Sequence, residues 1–215
     1  KLVKGHRPYY FNDPSCYADH IVSHGIFGTS CEIHMDGELI RAEIKVPGQH
    51  QVTNTLAAVR VAKLLGLDME QMTRGIASVV PIAGRNRIIQ EGNFTLIDDC
   101  YNANPVSMKA ALDLLSLADT RKVAILGELG ENSDMLHSGV GCYAKGKTDL
   151  LICIGENAKH IYDGAKEAGV AHIYHFTDKE SFLREKENLL QAGDTILLKA
   201  SHGMAFETLI SQLLQ

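Results

Sequence analysis

The chain lacks several features that mark common protein classes. It is 215 residues long, contains no tryptophan, and only 6% of its residues are aromatic. Positive charge is not in surplus either, because the formal net charge is −5 at pH 7. Neither nucleic acid nor an anionic membrane is therefore expected as the main partner. A hydrophobic content of 45% is nevertheless enough for a substantial core.

Long apolar runs and paired cysteines are missing as well. No run approaches the roughly 18 residues of a membrane-spanning helix, and residues 1–6 lack the apolar stretch of a signal peptide. The five cysteines are scattered without a C-x-x-C spacing, so they suggest neither a disulfide framework nor a zinc site. We therefore expect a cytoplasmic protein, and a chain that begins in the middle of a domain.

The pattern of apolar residues changes near residue 85. Before it, alternation predicts a strand meander, followed by two helices that Gly66 separates. The predicted strands contain residues 21–22, 29–34 and 39–46, and the helices cover 53–65 and 69–79. Residues 81–84 have the composition of a linker.

From residue 88 onward, strand and helix patterns alternate, which is typical of a parallel sheet covered by helices on both faces. The predicted strands are 94–97, 122–126, 150–154, 172–175 and 195–199. The predicted helices are 107–118, 133–145, 158–167, 179–190 and 205–214. This half is expected to form one α/β domain of roughly 125 residues.

A polar run from Asp98 to Met108 follows the first of these strands and leads into a helix, with Pro105 suited to its first turn. Open α/β sheets bind ligands at the carboxyl ends of their strands. The run therefore predicts a ligand site, although Asp98 by itself is also explained as a cap of the strand end. Its usable side chains are those of Asp98, Asp99, Tyr101, Asn102 and Asn104.

Polar residues gather at two other places near predicted junctions. His50, Gln51 and Asn54 lie at the start of a helix, where carboxamides can read the edge of a base and where a simple helix cap is the alternative. Arg85 lies beside the linker, where it is either solvated or clamps a phosphate when two domains close.

The last predicted strand ends in Lys199, Ser201 and His202, small and cationic groups that suit a carboxylate at a helix N-terminus. The strand 122–126 is also followed by a polar loop, and His137 lies one turn into the next helix. A helical histidine of this kind is more often structural than a ligand contact. The residues alone thus indicate a small-molecule site at one edge of a parallel sheet.

The segment 141–148 matches the phosphate-loop pattern G-x-x-x-x-G-K-[ST], which is found in self-sufficient nucleotide hydrolases. Such a loop must follow a strand and open a helix, because the N–H groups at the helix start bind the phosphate. Here the predicted order is helix and then strand. We therefore expect Gly146 to cap a helix C-terminus, with Lys145 and Lys147 near the negative end of its dipole.

In their order along the chain, these clusters resemble the motifs of the Mur ligase family, the ATP-dependent amide-bond ligases of bacterial cell-wall precursor synthesis. The motifs are G-x-H-x-x-x-N-x-x-A-A at 48–58, G-R at 84–85, D-D-x-Y-N-A-N-P-x-S-M at 98–108, E-L-G-E-N-S at 128–133 and K-A-S-x-G-M at 199–204. The third motif is similar to that of the members that add D-alanyl-D-alanine to UDP-N-acetylmuramoyl-tripeptide.

The resemblance implies an α/β fold in two parts. Residues 1–84 would be the end of a central ATPase domain, with the strand meander and two helices, and residues 85–215 a Rossmann-like carboxy-terminal domain. It implies ATP and Mg²⁺ as cofactors, UDP-N-acetylmuramoyl-tripeptide and D-alanyl-D-alanine as substrates, an acyl phosphate intermediate, and a monomer. The family's phosphate loop and magnesium ligands would precede residue 1, so we expect the chain alone to be inactive.

The resemblance also implies residue roles. The ATP contacts would be His50, Gln51 and Asn54 near the adenine, Arg85 at the phosphates and Asp99 at the ribose. The D-alanyl-D-alanine site would be lined by Tyr101, Asn102, Asn104, Lys199, Ser201 and His202. The chain departs from the family pattern at Gln51, where asparagine is usual, at His202, where arginine is usual, and in a shorter loop at 126–130.

A function of a different class is also consistent with these residues. A non-catalytic α/β module that binds a nucleotide or a peptide would need no phosphate loop, and no convincing one is found here. A strand, a phosphate loop and a helix encoded upstream would distinguish a ligase from such a module.

Overall fold

A computed structural model describes residues 12–48, 50–130 and 133–214. The chain forms two compact units, Lys1–Val80 and Pro81–Gln215, which divide a few residues before the predicted boundary. Residues 1–6, Gln49, and the Glu131 and Asn132 of the fourth motif lie outside the described residues. Within the described part, no helix has the length and hydrophobicity that crossing a bilayer requires.

In its described residues, 12–48 and 50–80, the first unit is a three-stranded antiparallel sheet with two helices. Its elements are β1 (Cys16–Ser23), β2 (Thr29–Met35), β3 (Glu38–Ile44), α1 (His50–Leu64) and α2 (Met69–Ser78), and the strands are adjacent in chain order. Alternate residues of β2 are buried, so Ile33 and Met35 join Leu56 and Met72 in one core. The opposite face of this sheet carries the polar residues of β1 and β2.

The second unit is built on a six-stranded sheet. Its elements are β4 (Arg87–Glu91), β5 (Phe94–Asp98), α3 (Pro105–Leu115), β6 (Lys122–Leu126), α4 (Asp134–Tyr143), β7 (Leu150–Ile154), α5 (Ala158–Ala168), β8 (Ile173–Phe176), α6 (Lys179–Leu189), β9 (Thr195–Lys199) and α7 (Glu207–Leu213). The strand order is β4-β5-β9-β6-β7-β8. All neighbours are parallel except β4 and β5.

Both faces of this sheet are covered. Phe182 of α6 and Leu209 of α7 pack with Ile125 and Ile152 on one face. Because neighbouring residues of a strand face opposite sides, Ala124 belongs to the other face, and it is fully buried too. Burial on both faces explains why the central strands are uninterrupted apolar runs.

The predicted strands 122–126, 150–154 and 195–199 have the observed bounds, and the α/β class is confirmed. Several predicted helix bounds were wrong by two or three residues, including those of α3 and α4. The last helix, α7, starts at Glu207 and not at Ala205. Ala205 follows a short 3-10 helix, His202–Met204, and has a left-handed φ of 49°. Helix α1 begins at His50, three residues before its predicted start at 53.

The sequence predicts an entirely parallel sheet, and this prediction was wrong at one edge. β4 pairs antiparallel with β5, with Glu91 opposite Phe94 and only Gly92 and Asn93 between them. As an exposed edge strand, β4 shows little apolar periodicity. The Gly-Asn pair is the signal that would have found it, since two-residue turns of this type are typical of hairpins.

Candidate functional site

The carboxyl ends of β5, β6, β7 and β9 meet at one edge of the second unit's sheet. Backbone hydrogen bonds join the loops that follow β5, β6 and β9. The Gly127 N–H donates to Lys199 O at 2.8 Å, the Ser201 N–H to Glu128 O at 2.8 Å, and the Gly130 N–H to Ala103 O at 3.0 Å. The polar loops predicted from the sequence therefore form one connected cluster. It contains residues 84–86, 98–104, 127–130, 155–157 and 199–202, and we call it the carboxyl-edge cluster.

Lys199 lies inside this cluster and not on its surface, because its side chain is only 2% exposed. Its ammonium donates to Asp99 Oδ2 at 2.6 Å, to Asn102 O at 2.8 Å and to Asp99 O at 3.4 Å. These three acceptors match the three N–H groups of a lysine. Lys199 therefore fixes the loop after β5 to the end of β9.

Asp99 is held from two sides. Besides the ammonium on Oδ2, its Oδ1 accepts the Asn86 N–H at 3.2 Å. Burial raises the pKa of the Asp99 carboxyl, while the Lys199 cation and the Asn86 N–H oppose that rise. Its side chain is 14% exposed, so a ribose hydroxyl can reach only a small part of the carboxylate.

Asp98 acts as the strand-end cap that was the alternative to a binding role. It is buried, and its carboxylate accepts the Gly84 N–H at 2.8 Å and the Cys100 N–H at 3.4 Å. The Tyr101 N–H returns a bond to Gly84 O at 3.0 Å. Gly84 has a φ of 77°, and a Cβ there would lie 3.2 Å from Tyr101 Cβ, so this close approach requires glycine.

Because Gly84 is fixed in this way, Arg85 lies beside the aromatic ring of Tyr101. The guanidinium carbon of Arg85 is 4.1 Å from the centroid of the Tyr101 ring, which is a cation–π contact. The centroid of the His202 ring lies 5.9 Å from that of Tyr101, and the two ring planes are tilted relative to each other. All three side chains are exposed, and Tyr101 is 52% exposed. They form the accessible surface of the carboxyl-edge cluster.

The two asparagines of the run each use their side-chain oxygen locally. Asn104 Oδ1 accepts the Ser107 N–H at 2.8 Å and caps α3, and Pro105 is in the first turn as predicted. Asn102 Oδ1 accepts the Ala103 N–H at 2.8 Å. Each side chain keeps its NH₂ group for donation to a ligand, and both residues are exposed.

Asn157 belongs to the cluster but was not predicted. Its N–H and its side-chain NH₂ donate to the two carboxylate oxygens of Glu128, at 2.9 and 3.2 Å. Gly155, with a φ of 117°, lets the two loops approach, since a Cβ there would lie 2.6 Å from Glu128 Oε1. The available signal was the Gly-Glu-Asn sequence at 155–157, directly after the predicted strand 150–154.

His137 has the structural role that the sequence favoured. It is buried, its Nε2 accepts the Leu129 N–H at 3.0 Å, and its Nδ1 lies 2.8 Å from Ser133 O. An acceptor at Nε2 and a carbonyl at Nδ1 require the neutral tautomer that is protonated on Nδ1. The ring thereby connects the loop after β6 to the start of α4.

The phosphate-loop look-alike ends a helix, as predicted, because α4 stops at Tyr143 and β7 follows. The C-cap residue is Ala144, so the prediction that Gly146 caps the helix was wrong by two positions. Lys147 lies 2.7 Å from Asp113 Oδ1, and that carboxylate also accepts the Tyr143 hydroxyl at 2.9 Å. The segment offers no helix N-terminus to a phosphate.

The first unit contains the predicted adenine contacts at the start of α1. Gln51 bonds to the His50 ring at 3.1 Å, and the Asn54 NH₂ donates to Gln51 Oε1 at 3.0 Å. Gln51 and Asn54 also line a cavity of about 350 Å³, whose remaining walls include Ile44 and Met72. A flat, largely apolar ligand group with a polar edge fits such a cavity.

A family model for "Mur ligase, glutamate ligase domain" matches residues 84–202, more than half of the chain. The chain belongs to the Mur ligase family. The matched range contains the whole carboxyl-edge cluster, from Gly84 to His202. The polar residues at the start of α1 lie outside it.

Curated relatives refine the comparison within the Mur ligases. The chain is 30% identical over 180 residues to the UDP-N-acetylmuramoyl-tripeptide--D-alanyl-D-alanine ligase of Bacillus subtilis strain 168, covering 80% of this chain and 39% of that protein. It is 35% identical over 206 residues to the ligase of the same name from Synechocystis, covering 90% and 44%. The chain therefore spans less than half the length of these relatives.

Solved structures agree on the fold. MurF from Acinetobacter baumannii superimposes with a TM-score of 0.84 at 27% identity, covering 93% of this chain and 45% of that one. The MurF ligase of Thermotoga maritima, solved in complex with ADP, gives a TM-score of 0.73 at 20% identity and covers 93% and 46%. At the lower identity the likeness supports the fold alone.

Proposed function

We propose that this chain is the carboxy-terminal portion of an ATP-dependent ligase that adds D-alanyl-D-alanine to UDP-N-acetylmuramoyl-tripeptide. Residues 1–84 would be the end of its ATPase domain and 85–215 its carboxy-terminal domain. The names of the relatives and the ordered motifs support this proposal. We also propose that the ligase is cytoplasmic and monomeric.

The observation that carries the proposal is the accessible surface formed by Arg85, Tyr101 and His202. It belongs to the same cluster as the buried, hydrogen-bonded pair of Lys199 and Asp99. Among the described residues Arg85 contacts the Tyr101 ring and forms no ion pair with a carboxylate, so its exposed guanidinium is available to a phosphate or a carboxylate. The exposed Asn102 and Asn104, in the loop after β5, add NH₂ groups as further donors. Such a surface suits a small zwitterionic peptide next to a polyphosphate.

In the proposed reaction, ATP supplies the phosphoryl group that converts the terminal carboxylate of the tripeptide to an acyl phosphate, and ADP is released. The amine of D-alanyl-D-alanine attacks the acyl carbon, the amide bond forms, and phosphate leaves. The residues of this chain position the dipeptide and stabilise developing negative charge. No described residue is assigned to Mg²⁺, whose ligands we expect in the upstream sequence.

The proposed residue roles fall into two groups. Tyr101, Asn102, Asn104, Ser201 and His202 would contact the dipeptide directly. Lys199 would act by positioning, because its ammonium is already surrounded by oxygens of the loop after β5. On the nucleotide side, Arg85 would contact the phosphates, Asp99 the ribose, and His50, Gln51 and Asn54 the adenine.

Calorimetric titration of the chain with D-alanyl-D-alanine tests the dipeptide site. We expect weak binding that Tyr101→Ala lowers by about tenfold or more, equivalent to about 1.4 kcal/mol. Tyr174→Ala is the matched control, because Tyr174 is an exposed tyrosine on β8 of the same unit. L-alanyl-L-alanine serves as the ligand control. Equal affinities for the two tyrosine variants would contradict the site assignment.

A second experiment tests the reaction with the protein that contains both this chain and its upstream ATPase segment. We expect phosphate release from ATP only when UDP-N-acetylmuramoyl-tripeptide and D-alanyl-D-alanine are both present. The chain alone is expected to release none, and Lys147→Met to leave the rate unchanged. Turnover by the isolated chain that Lys147→Met abolishes would instead favour the phosphate-loop alternative.

A further inference from the structure

A cluster of metal-binding side chains lies on the first unit, on the solvent face of β1 and β2. Within the described ranges, one group of three histidine, cysteine or carboxylate side chains can place its ligand atoms within 4.8 Å of one another: Asp19, His20 and Glu32. None of the roles proposed above involves these residues. Their side chains are 41%, 76% and 27% exposed, so a solvated ion can reach all three.

A β-bulge brings the three side chains together. In a regular strand, Asp19 and His20 would face opposite sides of the sheet. Here Asp19 pairs with Glu32 and Val22 with Ser30, so β1 has two residues where β2 has one. His20 has a φ of 45°, a left-handed conformation that is uncommon for residues other than glycine. The bulge thus places the imidazole on the same face as both carboxylates.

Two of the three distances match those of a metal site, and the third, between the two carboxylate oxygens, is at most 4.8 Å. His20 Nδ1 lies 3.2 Å from Glu32 Oε2 and 3.4 Å from Asp19 Oδ1. Zinc bonds of 2.0–2.1 Å in a tetrahedron separate neighbouring ligand atoms by roughly 3.3–3.4 Å. An ion can therefore be placed among the three atoms with little movement of the side chains.

Neighbouring groups hold both carboxylates in place. Arg41 Nε donates to Glu32 Oε1 at 3.3 Å, which leaves Oε2 facing His20. The His34 Nε2 lies 2.9 Å from Asp19 Oδ1, and its ring is stacked on Tyr17 with centroids 4.7 Å apart. Partners of this kind, which orient the ligands without touching the ion, are typical of metal sites.

The cluster also contains an unfavourable contact that a cation would relieve. Asp19 and Glu32 are directly opposite each other on adjacent antiparallel strands, and like charges in that position are destabilising. Among the residues that the structure describes, the ion pair of Arg41 is with Glu32, so it neutralises one carboxylate of the two. The alternative source of positive charge is a protonated His20 or His34, in a cross-strand ion-pair network without metal.

We propose that Asp19, His20 and Glu32 bind one divalent transition-metal ion, Zn²⁺, with a fourth position open to water. The imidazole nitrogen in the donor set selects zinc over Mg²⁺ or Ca²⁺, which prefer oxygen ligands alone. Three protein ligands and one open position form the arrangement of accessible zinc sites. The site lies within the first unit and is independent of the ligase function proposed above.

Titration of the whole chain with Zn²⁺ alone, followed by calorimetry, tests the proposal. We expect one equivalent to bind, and His20→Asn to weaken its affinity by more than about 100-fold, beyond the effect typical of an outer partner. Asparagine tolerates the left-handed backbone of position 20, so this variant keeps the bulge. Glu32→Gln, which removes a ligand charge, should also reduce the affinity strongly.

The matched control is His24→Asn. His24 is an exposed histidine of the same unit that bonds to Ser30 Oγ at 2.9 Å and takes no part in the cluster. We expect it to bind zinc like the wild type. His34→Phe keeps a ring on Tyr17 but removes the bond to Asp19, and should weaken binding by about tenfold.

Nuclear magnetic resonance identifies the ligand atom. Zinc should shift the Nδ1 resonance of His20 and leave that of His24 unchanged. Circular dichroism of each variant without metal checks that the fold is intact. If wild type and His20→Asn bind zinc equally, or if the wild type binds none, the cluster is an ion-pair network and the proposal is overturned.

Discussion

Two lysine–aspartate pairs of the second unit have almost the same length and very different surroundings. Lys199 lies 2.6 Å from Asp99, and the side chains are 2% and 14% exposed. Lys147 lies 2.7 Å from Asp113, and those side chains are 32% and 48% exposed. At equal distance, the attraction between two charges depends on the local dielectric. The two pairs therefore differ in how far water reaches them. The buried pair fixes two loops, whereas water can replace either partner of the exposed one.

The same two lysines show that a sequence motif does not by itself determine the role of a side chain. Lys147 is the lysine of a segment that matches a phosphate loop, yet it lies after a helix and pairs with a helix residue. Lys199 belongs to a motif that predicted direct contact with a ligand, yet its ammonium faces the protein. In both cases the surroundings of the side chain, which the motif does not contain, determine its role.

The largest expected effect comes from breaking the buried pair. Lys199→Met should lower the free energy of unfolding by about 3–5 kcal/mol, because Asp99 would remain buried without its cation and two carbonyl oxygens would lose a donor. Urea-induced unfolding followed by circular dichroism measures the change.

Lys147→Met is the matched control for that experiment, since it breaks a pair of the same length. Its effect should stay below about 1 kcal/mol. Adding Asp99→Asn to Lys199→Met should restore part of the lost stability, because no unpaired charge then remains. Equal losses for the two lysine variants would show that burial is not the difference between the pairs.

The sequence was sufficient for most of the fold but only for part of the site. Strand 195–199 was predicted correctly because its apolar run is bounded by polar residues, and the same boundary located Lys199 at the carboxyl edge. The direction of a long, flexible lysine side chain depends on which loops pack around it, and a single sequence does not contain that. For the same reason, the contact of Asn157 with Glu128 was not predicted, although the strand that precedes Asn157 was.

The next effect concerns the exposed part of the carboxyl-edge cluster. Asn104→Ala should cost about 0.5–2 kcal/mol of stability, because Asn104 caps α3. Asn104→Ser retains a capping oxygen and should cost much less, yet it removes the NH₂ group that is available to a ligand. Unfolding and D-alanyl-D-alanine titration of both variants therefore separate the two roles.

For Asn104, similar instability of the alanine and serine variants would contradict the capping role. If both variants lose dipeptide affinity while only alanine loses stability, the NH₂ group contacts the ligand. Unchanged affinity in Asn104→Ser would remove Asn104 from the proposed site and leave its cap as its sole role.

The smallest effect belongs to the exposed pair and depends on pH. Burial tends to raise the pKa of Asp113, but hydrogen bonds from Lys147 and Tyr143 outweigh it and hold the pKa below its usual value. A carboxyl whose pKa is lower in the folded chain stabilises the fold above the unfolded value of about 3.9 and loses that contribution as the pH falls through the folded value. Asp113→Asn removes this dependence.

Wild type should therefore exceed Asp113→Asn in stability by no more than about 1 kcal/mol at neutral pH, since the pair is largely exposed to water. Urea unfolding at several pH values should show this difference shrinking as the pH falls below about 4. High salt should shrink it too, because an exposed pair is screened. A difference that persists in acid and in salt would mean that Asp113 stabilises the protein through packing, and the contrast with the buried pair would then no longer be one of solvation.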